Sequence, residues 1–167
     1  MLSHQHEAGC KPDVITVSKS IAGGIMPYSA IYFNNELKDM MGVGDHGSTW
    51  FANPMGAAVS VAALKVINEE GLPKNSQVLG ELFEELTEPL KRKLIVKDIR
   101  GRGLFRCIEF KEGVTGRDFA MEAFKTHKTL FRYHGNMVRF LPPLNIKSAQ
   151  LQSIIHDVEA TLDTISK

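Results

Sequence analysis

The chain of 167 residues has only two cysteines, Cys10 and Cys107, and one tryptophan. Two thiols so far apart in sequence make no disulfide scaffold, and a reducing compartment is the default for such a chain. Long apolar runs are missing too. No stretch approaches the roughly 18 residues that a membrane-spanning helix needs. Charge of one sign is lacking: the net charge is +1, which gives no general attraction to nucleic acid or to an anionic membrane. The segment Met1-Leu2-Ser3-His4-Gln5-His6 has no basic stretch leading into an apolar one, so it does not read as a signal peptide.

What is present is the composition of a folded protein, 43% apolar and 23% charged, with length for roughly one domain and enough apolar material for a core. The charge is unevenly placed. All seven arginines lie from Arg92 onward. Val14-Ile15-Thr16-Val17 reads as a short buried strand, and Pro27 to Phe33 as a second. Glu36 to Met41 reads as a short helix, and Gly42 to Asn53 as a loop. Asn53-Pro54 starts a helix, with Asn as the cap and Pro in the first turn, running to about Glu70 and stopping at Gly71. An amphipathic helix follows from Ser76 to about Pro89. Ile95–Ile99 and Leu104–Phe110 read as strands, Thr115 to Leu130 as helix and Met137–Leu141 as strand. The final helix carries Leu151, Ile155, Val158 and Leu162 at helical spacing. A boundary near Gly71 separates an α/β layer, residues 1–71, from an α+β unit, residues 72–167.

Several residues have the chemistry of a site. Lys19 follows the first strand, sits between two serines and precedes Ile21-Ala22-Gly23-Gly24. A lysine at the end of a buried strand is partly desolvated, which favours the neutral amine needed for Schiff-base chemistry. Ser48 and Thr49, in a loop with several glycines, can hydrogen-bond a phosphate. Arg139, flanked by apolar strand residues, needs a partner if buried, and a carboxylate of the protein or of a substrate suits it. Arg100-Gly101-Arg102-Gly103 reads as a basic turn, with Arg102 and Arg106 as decoration of the strand. His4, His6 and Cys10 are zinc-type donors, but no fourth ligand stands at a familiar spacing, so no metal is expected there.

Taken in order, these pieces resemble the class III aminotransferases, which use pyridoxal 5'-phosphate. Pro12-Asp13-Val14-Ile15-Thr16-Val17-Ser18-Lys19 through Gly24 resembles the family's Schiff-base lysine segment. His46-Gly47-Ser48-Thr49 with Asn53-Pro54, Arg100 to Leu104, and Val138-Arg139-Phe140-Leu141-Pro142-Pro143 resemble its later landmarks. The resemblance covers nearly the whole chain and leans toward the ornithine-acting members, with acetylornithine and 4-aminobutyrate relatives as alternatives. It implies an α/β fold: the C-terminal part of the fold type I large domain followed by a small α+β domain. It implies Lys19 as the catalytic, cofactor-bound lysine, and Thr49, supported by Ser48, as phosphate ligands, in this family across a homodimer interface. It implies Arg139 as the partner of a glutamate or 2-oxoglutarate carboxylate. The family's phosphate cradle and its pyridinium aspartate normally lie upstream of the lysine, so the chain is expected to be a C-terminal portion, inactive alone, from the cytoplasm or the mitochondrial matrix. A non-catalytic interaction module is the other expectation. Phe51-Ala52 depart from the small residues, often Gly-Gly, that the family carries before Asn-Pro.

Overall fold

Asn53 and Pro54 begin the first helix as the sequence predicts. The structure, a computed structural model, describes residues 9–166. It places helix α1 over Pro54–Glu69, with the Asn53 side chain accepting hydrogen bonds from the amides of Met55 and Gly56 at 2.9 and 3.3 Å. Those amides lie in the first turn and have no carbonyl partner inside the helix, so the cap satisfies them. The chain divides into two units, Met1–Gly71 and Leu72–Lys167.

In the first unit, β1 (Val14–Val17) pairs antiparallel with β2 (Ala30–Phe33), with Val14 opposite Phe33 and Val17 opposite Ala30. β1 is not buried. It alternates exposed and half-buried residues, because among the described residues β2 is its one sheet neighbour. β2 begins only at Ala30, after Pro27, which has no amide hydrogen to give to a ladder. The helix expected over Glu36–Met41 is a single 3-10 turn, Asn35–Leu37. The small residues of α1 have a use: a Cβ on Gly56 would lie 2.3 Å from the Tyr28 ring, so only glycine admits that ring. Ser60, one turn on, is buried and donates to the Gly56 carbonyl at 2.8 Å.

The second unit is two layers. Four antiparallel strands lie in the order β3 (Val96–Arg102), β4 (Phe105–Phe110), β6 (Met137–Phe140), β5 (Arg132–His134). α2 (Leu72–Thr87), α3 (Gly116–His127) and α4 (Ser148–Ile165) supply the other layer. α2 starts earlier than Ser76, because Pro73 is tolerated in a first turn. α3 ends at His127, where Lys128 turns left-handed at φ 59°, short of the expected Leu130. A Thr115–Asp118 capping box starts it. The three-residue β5 is too short to leave a pattern of its own in the sequence. Along α4, Leu151, Ile155, Val158 and Leu162 are buried as their spacing requires. The phenyl rings of Phe83, Phe140, Phe131, Phe119 and Phe110 follow one another through the core at centroid spacings of 5.1, 5.0, 5.4 and 5.4 Å. Tilted and edge-on rings at these distances add to their area burial.

Arg106 is not the surface decoration that its sequence context predicts. Its side chain is 6% exposed and donates to the carbonyls of Gly103, Gly101 and Gly80 at 2.7, 3.0 and 2.8 Å, and to Glu84 at 2.6 Å. It also lies over the Phe83 ring at 5.5 Å. The guanidinium thus ties α2 to the β3–β4 hairpin. That junction is tight enough that a Cβ on Gly80 would sit 2.5 Å from the Gly103 Cα.

Removing the Arg106 donors takes a buried or part-buried hydrogen bond from each of three backbone carbonyls, so Arg106→Met is expected to destabilise the unit by about 3 kcal/mol. Glu84 is largely solvated, with 61% of its side chain exposed, so Glu84→Gln is expected to cost about 1 kcal/mol or less. Urea unfolding of the two variants checks the ordering. Equal losses would mean that the ion pair, and not the carbonyl network, holds the junction.

Candidate active site

Val17 ends β1, Ser18 continues extended at φ −160°, and Lys19 then turns left-handed at φ 57°. Lys19 opens the 3-10 turn Lys19–Ala22, which Gly23 closes by donating to the Ser20 carbonyl at 2.9 Å. A left-handed conformation costs a non-glycine residue roughly 1–2 kcal/mol, and such strain collects at functional positions. The turn packs on α1: Ala22 is fully buried, and a Cβ on Gly23 would meet the Ala63 Cβ at 3.5 Å. The packing fixes the backbone of the turn and leaves the Lys19 side chain exposed, without an ion pair or hydrogen bond among the described residues. The desolvation expected from a buried strand is therefore not supplied by the described residues of this unit.

Ser48 and Thr49 lie in the loop that leads into the Asn53 cap. The Ser48 carbonyl accepts from the Phe51 amide at 3.0 Å, and the His46 ring stands edge-on to Phe51 at 5.9 Å. Both residues are exposed, and their hydroxyls have no hydrogen-bond partner among the described residues. Ala52 is left-handed, φ 53°. The backbone shape that glycine favours persists here with an alanine in it. No hydrogen bond joins Lys19 to Ser48 or Thr49, yet both segments are carried by α1. An accessible amine and two unpartnered hydroxyls are the donor set that a phosphorylated aldehyde would need, so these residues fit such a group.

Arg139 belongs to the second unit. The register sets Arg100, Cys107, Arg139 and Arg132 in one row across β3, β4, β6 and β5. Opposed residues share a face of a sheet, and Ile99, Ile108 and Val138 hold the core face. Arg139 is thus exposed and not a buried arginine in search of an internal acid. It lines an open groove of about 370 Å³ with Arg132, Leu130, Leu141 and Pro142. The neighbouring row is acidic. Glu109 accepts from Lys97 at 2.7 Å and from Arg100 at 2.6 Å, and Asp98 takes Arg100 at 2.8 Å. Hydrogen bonds from Lys97 and then Arg100 hold the Glu109 carboxyl down to about 2 from its ordinary 4.5. Burial pushes the Cys107 thiol up, against the pull of Arg100 and Arg139.

His4 and His6 lie outside the described residues, and Cys10 is exposed. Among the described residues no cluster of three or more His, Cys, Asp or Glu side chains is placed to hold a metal. No helix there is long and apolar enough to cross a membrane. Sequence reasoning overlooked Arg132. Its only signal was the basic residue in Phe131-Arg132-Tyr133, which is informative only once β5 is known to pair with β6.

Two measurements follow. Replacing Ala52 by glycine relieves the left-handed strain but loosens the unfolded chain, so Ala52→Gly is expected to raise stability by up to about 1 kcal/mol in urea unfolding. Because the folded pKa of Glu109 is depressed, its contribution is full above 4.5 and is lost as pH falls through about 2. Glu109→Gln is therefore expected to flatten the fall of the second unit's denaturation midpoint across that window. An unchanged slope would show that other carboxylates set it.

The family model described as aminotransferase class-III matches residues 1–162. The ornithine aminotransferase of Plasmodium falciparum is 38% identical over 94% of this chain and 38% of its own length. That of Schizosaccharomyces pombe is 37% identical over 99% of this chain and 38% of its own. Among solved structures, one of the P. falciparum ornithine delta-aminotransferase covers 97% of this chain and 42% of its own at a TM-score of 0.90. The acetylornithine aminotransferase of Elizabethkingia anophelis gives 0.86 at 32% identity, over 96% of this chain and 41% of its own. The chain therefore spans less than half the length of these relatives. With the model match running through both units, the chain belongs to the class III aminotransferases.

Proposed function

We propose that this chain provides the lysine-bearing and carboxylate-binding parts of a pyridoxal-phosphate-dependent aminotransferase acting on ornithine or a similar ω-amino compound, with 2-oxoglutarate as acceptor. The observation that carries the reading is the left-handed, accessible Lys19 on a turn held against α1. The first unit is then the end of the cofactor-binding domain and the second a small domain, in a homodimer.

Each residue has a task that its chemistry allows. Lys19 binds the cofactor through its amine, and in its neutral form takes and returns a proton at the substrate carbon beside the amino group. Its fixed backbone keeps that base at one place, which gives an intramolecular proton transfer its advantage. Thr49, supported by Ser48, holds the phosphate of the cofactor bound by the neighbouring subunit, with hydroxyls that no described residue of the chain uses. Arg139 takes a substrate carboxylate in a planar, two-bond grip. Pyridoxal phosphate, when bound, supplies the electron sink that makes the substrate C–H acidic. The similarity to ornithine enzymes favours ornithine over acetylornithine or 4-aminobutyrate as donor. A non-catalytic module remains the second reading, motivated by the exposed Val14, Ile31, Phe33, Trp50 and Phe51 of the first unit.

The test is chemical. The chain is incubated with pyridoxal phosphate, reduced with borohydride and digested, and the pyridoxylated peptides are identified by mass. The Lys19 peptide is expected to carry the label ahead of the other lysines, and Lys19→Ala to abolish that signal. Equal labelling of exposed lysines with no preference for Lys19 would favour the non-catalytic module.

A further inference from the structure

The acids on the open face of the four-stranded sheet are already taken. Asp98 and Glu109 both bind Arg100, and Glu109 also binds Lys97. That leaves Arg139 and Arg132, which stand opposite each other across β6 and β5. Neither makes an ion pair or a hydrogen bond among the described residues. Like charges directly opposed on adjacent strands repel and destabilise the pairing. Arg132 gives little back in packing, since all three residues of β5 are exposed. Both arginines line the same groove, whose rim of Leu130, Leu141, Pro142 and Ile154 is apolar. Two unpaired guanidinium groups at an apolar groove match a carboxylate at the end of a short hydrocarbon chain. The oxygens of one carboxylate have lone pairs enough for two planar forks.

We propose that Arg132 is a second binding residue of the carboxylate site, gripping the same substrate carboxylate as Arg139. The proposal rests on the reading of Arg139 given above and deepens it. A site with two cations selects a carboxylate over a neutral amide more sharply than one cation does, and the bound carboxylate removes the repulsion between the two strands. Arg132 is therefore a determinant of specificity for dicarboxylates at this end of the substrate. A lysine would keep the charge but lose the rigid, planar two-bond fork.

The probe is glutarate, with glutaramide as its uncharged isostere, titrated into the whole chain. Binding is read from the guanidinium Nε–H resonances in nitrogen–proton correlation spectra. Glutarate is expected to shift the signals of both Arg132 and Arg139, and glutaramide to shift neither. Arg132→Gln and Arg139→Gln are each expected to raise the glutarate dissociation constant about tenfold or more, with Arg132→Lys between wild type and Arg132→Gln. Arg132→Gln is also expected to melt no lower than wild type, because it removes one of two opposed cations. If Arg139→Gln weakens binding while Arg132→Gln stays within about twofold of wild type, the role of Arg132 is overturned and that of Arg139 stands. If neither variant changes the affinity, or the wild type does not bind, both readings fall. Weakening by Arg132→Gln alone overturns the shared site. A lower melting temperature for Arg132→Gln that accounts for its loss of binding makes the residue structural and overturns the proposal.

Discussion

The guanidinium of Arg106 closes the junction in the second unit where α2 and the β3–β4 hairpin meet backbone to backbone. Gly80 and Gly103 approach too closely for any side chain, and three carbonyls point into the space that remains. A cation with a rigid fork of donors fills it and leaves no described buried side-chain polar atom without a partner. With that junction fixed, β3 and β4 have one orientation against α2. β6 and then β5 inherit it through the ladder. The row that holds Arg139 thus faces away from the helices because Arg106, one residue before Cys107 on β4, faces toward them.

Local chemistry was readable where it acts over a few residues. Asn53-Pro54 predicted a capped helix start. The apolar residues from Leu151 to Leu162 predicted a buried helical face, and Pro142-Pro143 the end of a strand. What the sequence could not reveal depended on partners distant along the chain. Burial of β1 was expected from its β-branched content, but content does not say how many strands flank it. Arg106 looked like its basic neighbours because its carbonyl partners are set by the Gly80–Gly103 contact. Arg132 had no meaning until its register with Arg139 was known. The motif string, by contrast, singled out Lys19 without any knowledge of its conformation, and its left-handed turn became visible only in the structure.

Lys19 and Ala52 share a left-handed backbone, and each stands at the edge of a segment that α1 supports. At Lys19 glycine would relieve the strain and lose the amine on which the proposed function rests. At Ala52 the methyl group brings no polar atom, and glycine would take the same backbone without strain. Under the proposed function, one strained residue carries the amine and the other sets the path of the loop that carries Ser48 and Thr49.

The two sheets differ in how they treat their open edges. β5 is three residues long and bears Arg132 and His134, while β3 is broken by a register shift near Lys97 and studded with charge. Neither offers a flat apolar ladder to a further strand. β1 and β2 have no comparable protection, since Val14, Ile31, Tyr32 and Phe33 are all exposed in their unit. When the chain is made by itself, these four side chains stand along an unprotected ladder, the arrangement on which a further strand adds most readily.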